Sequence, residues 1–339
     1  MTEPNSLSDD AWQTPEETTI DNSIPPPTDA ELGWGSSDAF FETNPLPPID
    51  WSQPMELHER VLPPDSLPNG STDVSEFLQV PYTLVNSRSN VTSMLDALPK
   101  FQSDNPLLSI DLEGLDFGTR KSETYLLQIY DSHSHHLYIV DICMLGPSAF
   151  VTPASDGRTT LETILESAEV LKLICDVRGD SYALLKEFGI RLRGIKDVQN
   201  FDIASRPDPA TRQRRTGLLK LINRHAYLSL AEQSRAQACK TIGREFCRLW
   251  GYVQFSVRPL RGDLAAYAGN DVLYLPRIYS RLIAHMSEKR QRSADFETEK
   301  SIAETQRPEY DPEGTTEQKT AANWHHQYED DSREEDFVL

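Results

Sequence analysis

Apolar and polar positions follow two different rhythms along this chain of 339 residues. Short apolar runs come first: LLSIDLEG over 107–114, TYLLQIYD over 124–131 and HLYIVDI over 136–142. A polar turn, Ser132-His133-Ser134-His135, separates the second from the third, so the three read as antiparallel neighbours. LKLICDV over 171–177 is a fourth strand. Elsewhere the apolar residues recur at three- and four-residue spacing, which predicts helices. TLETILESA (160–168) and DSYALLKEFGI (180–190), stopping near Gly189, are two of them. A mostly helical stretch runs from about 203 to 250, and another covers 263–286, with Asp263 as its expected N-cap and a break at Pro276. Strands first, then strand and helix in alternation, give an α/β class: a mixed sheet with helices over it.

Outside that region the pattern fades. Residues 1–77 hold 12 of the 23 prolines and carry a net charge of −15, and residues 288–339 carry −8. Too few apolar groups and too much like charge leave little burial to offset chain entropy. The expectation is a disordered acidic, proline-rich tail over 1–77, a folded domain over 78–290 and a second acidic disordered tail over 291–339. Charge then changes meaning. The whole chain is at −20, yet residues 78–287 carry +3, so the folded part does not repel a polyanion.

Within that part, four carboxylates and a tyrosine stand where strands and helices can bring them together. Asp111 and Glu113 are two apart on a strand, so both side chains emerge on one face while Leu112 points to the other. Asp180 opens the helix after the fourth strand. Tyr267 and Asp271 are four apart on the late helix and share a face. Clustered carboxylates cannot all ionise in a bare site, and a divalent cation removes the conflict. Hard oxygen donors suit Mg²⁺ or Mn²⁺ rather than zinc.

The segments IDLEG (110–114), LLQI (126–129), KLICDVRGDSYALL (172–185), FDIA (201–204), RPL (258–260) and YAGNDVLYL (267–275), in this order, resemble the DEDDy 3′–5′ exonucleases. These are the group of ribonuclease D and the Werner-type exonuclease domains; the chain looks closest to their Egalitarian-like, fungal-type branch. The resemblance covers roughly 78–290. It implies a ribonuclease H-like fold with a mixed five-stranded sheet, and 3′–5′ hydrolysis of phosphodiester bonds with two divalent ions, Mg²⁺ or Mn²⁺. It also implies roles. Asp111 would bridge both ions, Glu113 and Asp271 would complete the nucleophile-side ion, Asp180 would hold the second, and Tyr267 would orient the attacking water. Asp176, four residues before Asp180, is a competing candidate for the second ion. It still belongs to the strand, which favours Asp180. An adaptor that binds nucleic acid on the same fold without catalysis is the rival reading.

Residues 206–248 hold ten bases against three acids, with Arg212, Arg214 and Arg215 the densest group. They are candidates for gripping the phosphates of single-stranded or end-frayed RNA or DNA, as is Arg258. A solvated helix face is the plain alternative. The four cysteines form no CxxC pair, so a zinc or thioredoxin site is not expected, and Cys143 and Cys175 read as core residues. His133, His135 and His136 read as a solvated turn. Trp12, Trp34, Phe40, Phe41 and Trp51 are spaced among acids, a composition that folds onto protein partners; Gly33-Trp34-Gly35 resembles the motifs that hook Argonaute proteins. No leader-like apolar core occupies residues 1–20 and no run is long enough for a membrane helix, so the expected setting is intracellular, cytoplasmic or nuclear.

Overall fold

The computed structural model describes residues 73–98, 108–116 and 119–312. Its centre is a mixed sheet of six strands in the order β1-β4-β3-β2-β5-β6. The strands are β1 (Tyr82–Val85), β2 (Leu108–Leu115), β3 (Glu123–Asp131), β4 (His136–Asp141), β5 (Lys172–Ile174) and β6 (Ile195–Asp197). The three antiparallel neighbours expected from the sequence are β2, β3 and β4. The expected count of five strands is corrected to six. The edge strands β1 and β6 are four and three residues long, too short for alternation to stand out. Both pair parallel with inner neighbours, β1 with β4 and β6 with β5.

Each face of the sheet carries its own core. Ile110 and Leu112 of β2 join Leu127, Ile129 and Val140 on one face. Leu126, Tyr130, Leu137 and Ile139 meet the later helices on the other. Period two thus puts Asp111 and Glu113 on the second face, opposite Leu112. The register shift between Glu113 and Gly114 marks a bulge at the end of that pair; such irregularities re-aim side chains.

The helices used below are α1 (Val74–Leu78), α2 (Arg88–Ala97), α3 (Leu161–Glu166), α4 (Val177–Phe188), α5 (Val198–Ser205), α6 (Leu218–His225), α7 (Leu230–Trp250), α8 (Gly262–Leu273), α9 (Leu275–Ile283) and α10 (Glu288–Thr305). Helix α8 lies across β2, β3 and β4. It can approach closely because it is rich in small residues: a Cβ on Gly269 would come within 2.4 Å of Leu137 Cδ2. The break expected at Pro276 falls at Tyr274, and Pro276 sits in the first turn of α9, where its missing N–H costs nothing. Asp263 lies inside the first turn of α8, paired with Arg261 at 2.7 Å, and is not the N-cap.

Order extends beyond the expected 78–290 on both sides. Helix α1 starts at Val74, inside the segment expected to be disordered, and buries Val74, Phe77 and Leu78 against α8. Helix α10 runs to Thr305, well past 290, and packs on α4, α5 and β6. Its inner seam is Ala294, Glu297, Thr298, Ser301, Ile302 and Thr305. Hydroxyls do the docking that apolar groups usually do: Thr298 Oγ1 accepts from Asn200 Nδ2 at 3.1 Å, and Thr305 Oγ1 lies 3.0 Å from Ser181 Oγ. The aromatic residues of the N-terminal tail lie outside the described residues. No helix among the described residues is long and apolar enough to cross a membrane.

Candidate active site

Three elements bring the predicted acids together. Strand β2 supplies Asp111 and Glu113, α8 supplies Asp271, and α4 supplies Asp180 in its first turn. One carboxylate oxygen each from Asp111, Glu113 and Asp271 lie within 4.8 Å of one another. Asp180 stands next to this trio rather than in it, held by a hydrogen bond from the backbone N–H of Leu112. Glu113, Asp180 and Asp271 are buried and Asp111 is partly buried. Asp271 Oδ1 and Asp180 Oδ1 have no hydrogen-bond partner, although both are inaccessible to water. Unpaired buried carboxylate oxygens are expensive, and the donor set, hard oxygens converging from three elements, fits a divalent cation.

The electrostatics record the same conflict. Burial pushes Glu113 up to about 8, and the charge of Asp271 adds to it. Burial does the same to Asp180, also to about 8, with the charge of Asp176 assisting. Asp111 rises well above the usual carboxyl range through burial and the charges of Asp180, Asp271 and Glu113. These folded-state values lie above the unfolded ones, so the folded chain binds more protons between about 4.5 and about 8. Stability must therefore fall as pH rises through that window. In EDTA, the unfolding midpoint is expected to drop by several degrees between pH 5 and pH 8, about 2–4 °C for each kcal/mol lost. If the cluster takes up Mn²⁺, the ion would replace the protons and flatten the slope. Thermal unfolding at stepped pH, with EDTA and with Mn²⁺, checks both.

Tyr267 is buried one turn before Asp271, on the same face of α8. Its ring lies against Gly243 of α7, where a Cβ would stand 1.9 Å from Tyr267 Cδ2. Phe255 packs near it at 6.0 Å between centroids. Burial raises the Tyr267 hydroxyl above its ordinary range, and the charges of Glu113 and Asp271 add to that, so the phenol stays protonated at neutral pH. At the rim, Tyr252 is 47% exposed, and its hydroxyl feels the charges of Glu113 and Lys240.

Lys240, absent from the expected set, is part of this site. It is 6% exposed, and its Nζ donates to Asp271 Oδ2 while standing 4.4 Å from the centre of the Tyr267 ring. Burial opposes its charge, but Asp271, with Glu113 and Asp111 behind it, holds the ammonium above the ordinary lysine value. A sequence signal existed. Ala236, Cys239, Gly243 and Cys247 mark the buried side of α7, and Lys240 falls on that side.

Other candidates do something different. Asp176 is engaged by Arg178 through two bonds of 2.7 Å, which leaves Asp180 as the acid facing Asp111. Arg212 is buried and donates to the carbonyls of Arg206 and Pro207, so it braces its own turn instead of facing a ligand. Arg215 is partly buried and donates to Gln199 Oε1 and Asn200 Oδ1, whereas Arg214 is exposed. Cys143 is exposed rather than in the core, Cys175 is partly buried, and all four cysteines are free.

Arg258 holds the wall of the site. It grips Asp141 through two bonds of 2.5 Å and donates to the carbonyls of Phe255 and Val257. That anchors the 3-10 turn Tyr252–Ser256, which carries Phe255 to Tyr267. Arg258→Ala would strand the Asp141 carboxylate, whose side chain is 1% exposed. Losing one partner of a buried pair costs about 3–5 kcal/mol. Because the Arg258 side chain is 18% exposed, the expected loss is about 2 kcal/mol, measured by urea unfolding.

The comparisons with known proteins come from sequence and from shape. A family model for 3′–5′ exonucleases matches residues 82–286. No curated protein sequence matches the chain. A solved complex of Trypanosoma brucei RNase D with RNA U12 has a TM-score of 0.53 at 20% identity, covering 68% of this chain and 72% of that one. The complex of the same enzyme with GMP has a TM-score of 0.52 at 20% identity, over 68% of this chain and 66% of that one. Escherichia coli RNase D has a TM-score of 0.46 at 19% identity, over 67% of this chain and 51% of that one. The chain thus spans between about half and three quarters of the length of these relatives, and at 20% identity the likeness to the two Trypanosoma brucei structures is one of fold.

Proposed function

Because the chain belongs to the 3′–5′ exonuclease family, we propose that it hydrolyses single-stranded RNA or DNA one nucleotide at a time from the 3′ end, with divalent Mg²⁺ or Mn²⁺. The observation that carries this reading is the convergence of Asp111, Glu113 and Asp271 within 4.8 Å, with buried oxygens left unpaired. RNA is the first substrate to try, since the RNase D with TM-score 0.53 was solved with RNA U12.

Each residue then has a task. Asp111, Glu113 and Asp271 would hold one ion, and Asp111 with Asp180 a second. Such ions supply a nucleophilic hydroxide at neutral pH and neutralise charge on the leaving 3′ oxygen. The protonated hydroxyl of Tyr267 orients the attacking water by hydrogen bonding. Attack forms the new P–O bond, the P–O3′ bond breaks, and the products are a nucleoside 5′-monophosphate and a chain one residue shorter with a free 3′ hydroxyl. The exposed Tyr252 offers a ring face on which the terminal base can stack. Exposed Arg214 and partly buried Arg215 are left as phosphate contacts; Arg212 and Arg258 serve the fold.

The test is incubation of the full chain with 5′-labelled single-stranded RNA and DNA, in Mn²⁺ and in EDTA. Shortening in Mn²⁺ alone supports the reading and identifies the preferred strand. Binding without cleavage in either condition moves the assignment to a non-catalytic adaptor, for which the supporting observation is that Lys240 already engages one carboxylate of the cluster.

A further inference from the structure

We infer that Lys240 is a built-in cation of the carboxylate cluster, one that competes with a divalent ion for Asp271. The inference rests on the metal-centre reading above and goes beyond it: the chain itself competes with its metal.

Contact and burial place the competitor, and the electrostatics agree. The Lys240 ammonium donates to Asp271 Oδ2, one carboxylate of the trio that converges within 4.8 Å. The charges of Asp271, Glu113 and Asp111 all act on it. It is 6% exposed, so water does little to screen it. Asp271 Oδ1 has no partner, so the lysine satisfies half of this carboxylate and leaves the other half open.

Converging buried carboxylates need a positive charge to remain ionised. A lysine can supply it without a metal, as a compact charge on a flexible stem. The same charge is a liability once a divalent ion arrives. An ion held by Asp111, Glu113 and Asp271 would share Asp271 with the ammonium, and two cations in one poorly screened pocket repel. The ammonium either swings off Asp271 or weakens the ion's binding. In both cases, removing the charge makes the ion bind more tightly and leaves the metal-free site less stable.

The test compares the full chain with Lys240→Met, which keeps an unbranched side chain only one atom shorter and removes its charge. Isothermal titration with MnCl₂ is expected to show a Kd at least tenfold lower for the variant. Thermal unfolding is expected to show a lower midpoint in EDTA and a larger rise on adding Mn²⁺. If the methionine variant does not fold in EDTA, Lys240→Gln, which retains a donor for Asp271, takes its place in the same titration. An unchanged or higher Kd overturns the inference, because Lys240 would then hold Asp271 in position for the ion. Absence of Mn²⁺ binding by wild type and variant alike is a different failure: it overturns the metal-centre reading together with this one.

Discussion

Asp111→Asn is expected to lower kcat by about a thousandfold or more, about 4 kcal/mol of lost transition-state stabilisation. Asparagine fills the same space and keeps a carbonyl oxygen, so β2 and its pairing with Gln128 of β3 should survive. What goes is the charge that would draw ions into the cluster. The loss has a signature that misfolding cannot imitate. Asp111 suffers from its own burial and from Asp180, Asp271 and Glu113, so removing its charge relieves the metal-free fold. The variant should unfold at a higher temperature than wild type in EDTA while being nearly inactive in Mn²⁺. Activity and stability moving in opposite directions is the trade expected of a functional site. Thermal unfolding beside a single-turnover assay reads both at once.

Gly243→Ala is the second large expectation, and it acts at a distance from the acids. A Cβ there would lie 1.9 Å from Cδ2 and 2.4 Å from Cγ of Tyr267. The ring has little freedom to shift, since Tyr267 is itself buried and Phe255, fully buried, packs at 6.0 Å between centroids. Either Tyr267 turns away or α7 and α8 move apart. Forcing a group into a packed core costs about 1–3 kcal/mol. A misplacement of about 1 Å at a reacting centre can cost about a hundredfold in rate. The expected result is a drop of about a hundredfold in kcat with little change in KM, from steady-state kinetics on a short oligonucleotide. A variant with wild-type kcat and unchanged unfolding would show that the helices have room to adjust.

The parts of the site legible in the sequence were those fixed by short-range periodicity. Asp111 and Glu113 could be placed on one face because a strand has period two, and Leu112 is indeed in the opposite core. Tyr267 and Asp271 could be paired because a helix returns after four residues. Roles for single arginines were not legible. In a stretch of ten bases, charge count says nothing about which ones turn inward. Arg212 is buried because two carbonyls of its own turn take its guanidinium, and Arg258 is committed to Asp141, which lies 117 positions away. Lys240 was hidden in the same basic stretch, although the stripe from Ala236 to Cys247 marks its face.

Helix α10 escaped for a related reason. Only Ala294 and Ile302 on its buried seam are apolar, and the rest are Thr, Ser and Glu. Hydropathy sees a polar tail, whereas Asn200 and Ser181 provide hydrogen-bonding partners that make those hydroxyls good packing groups. Ser181 follows Asp180 directly, so this helix also braces the turn that carries one of the site's acids.

The polarity of cleavage distinguishes a 3′–5′ exonuclease from any other nuclease. The same single-stranded RNA would be labelled at its 5′ end in one sample and at its 3′ end in another, then incubated with the full chain and Mn²⁺. The expected result is a descending ladder from the 5′ label and, at the earliest times, labelled mononucleotide from the 3′ label, both lost in Asp111→Asn. Internal fragments from both labels, or cleavage that survives in Asp111→Asn, would contradict it.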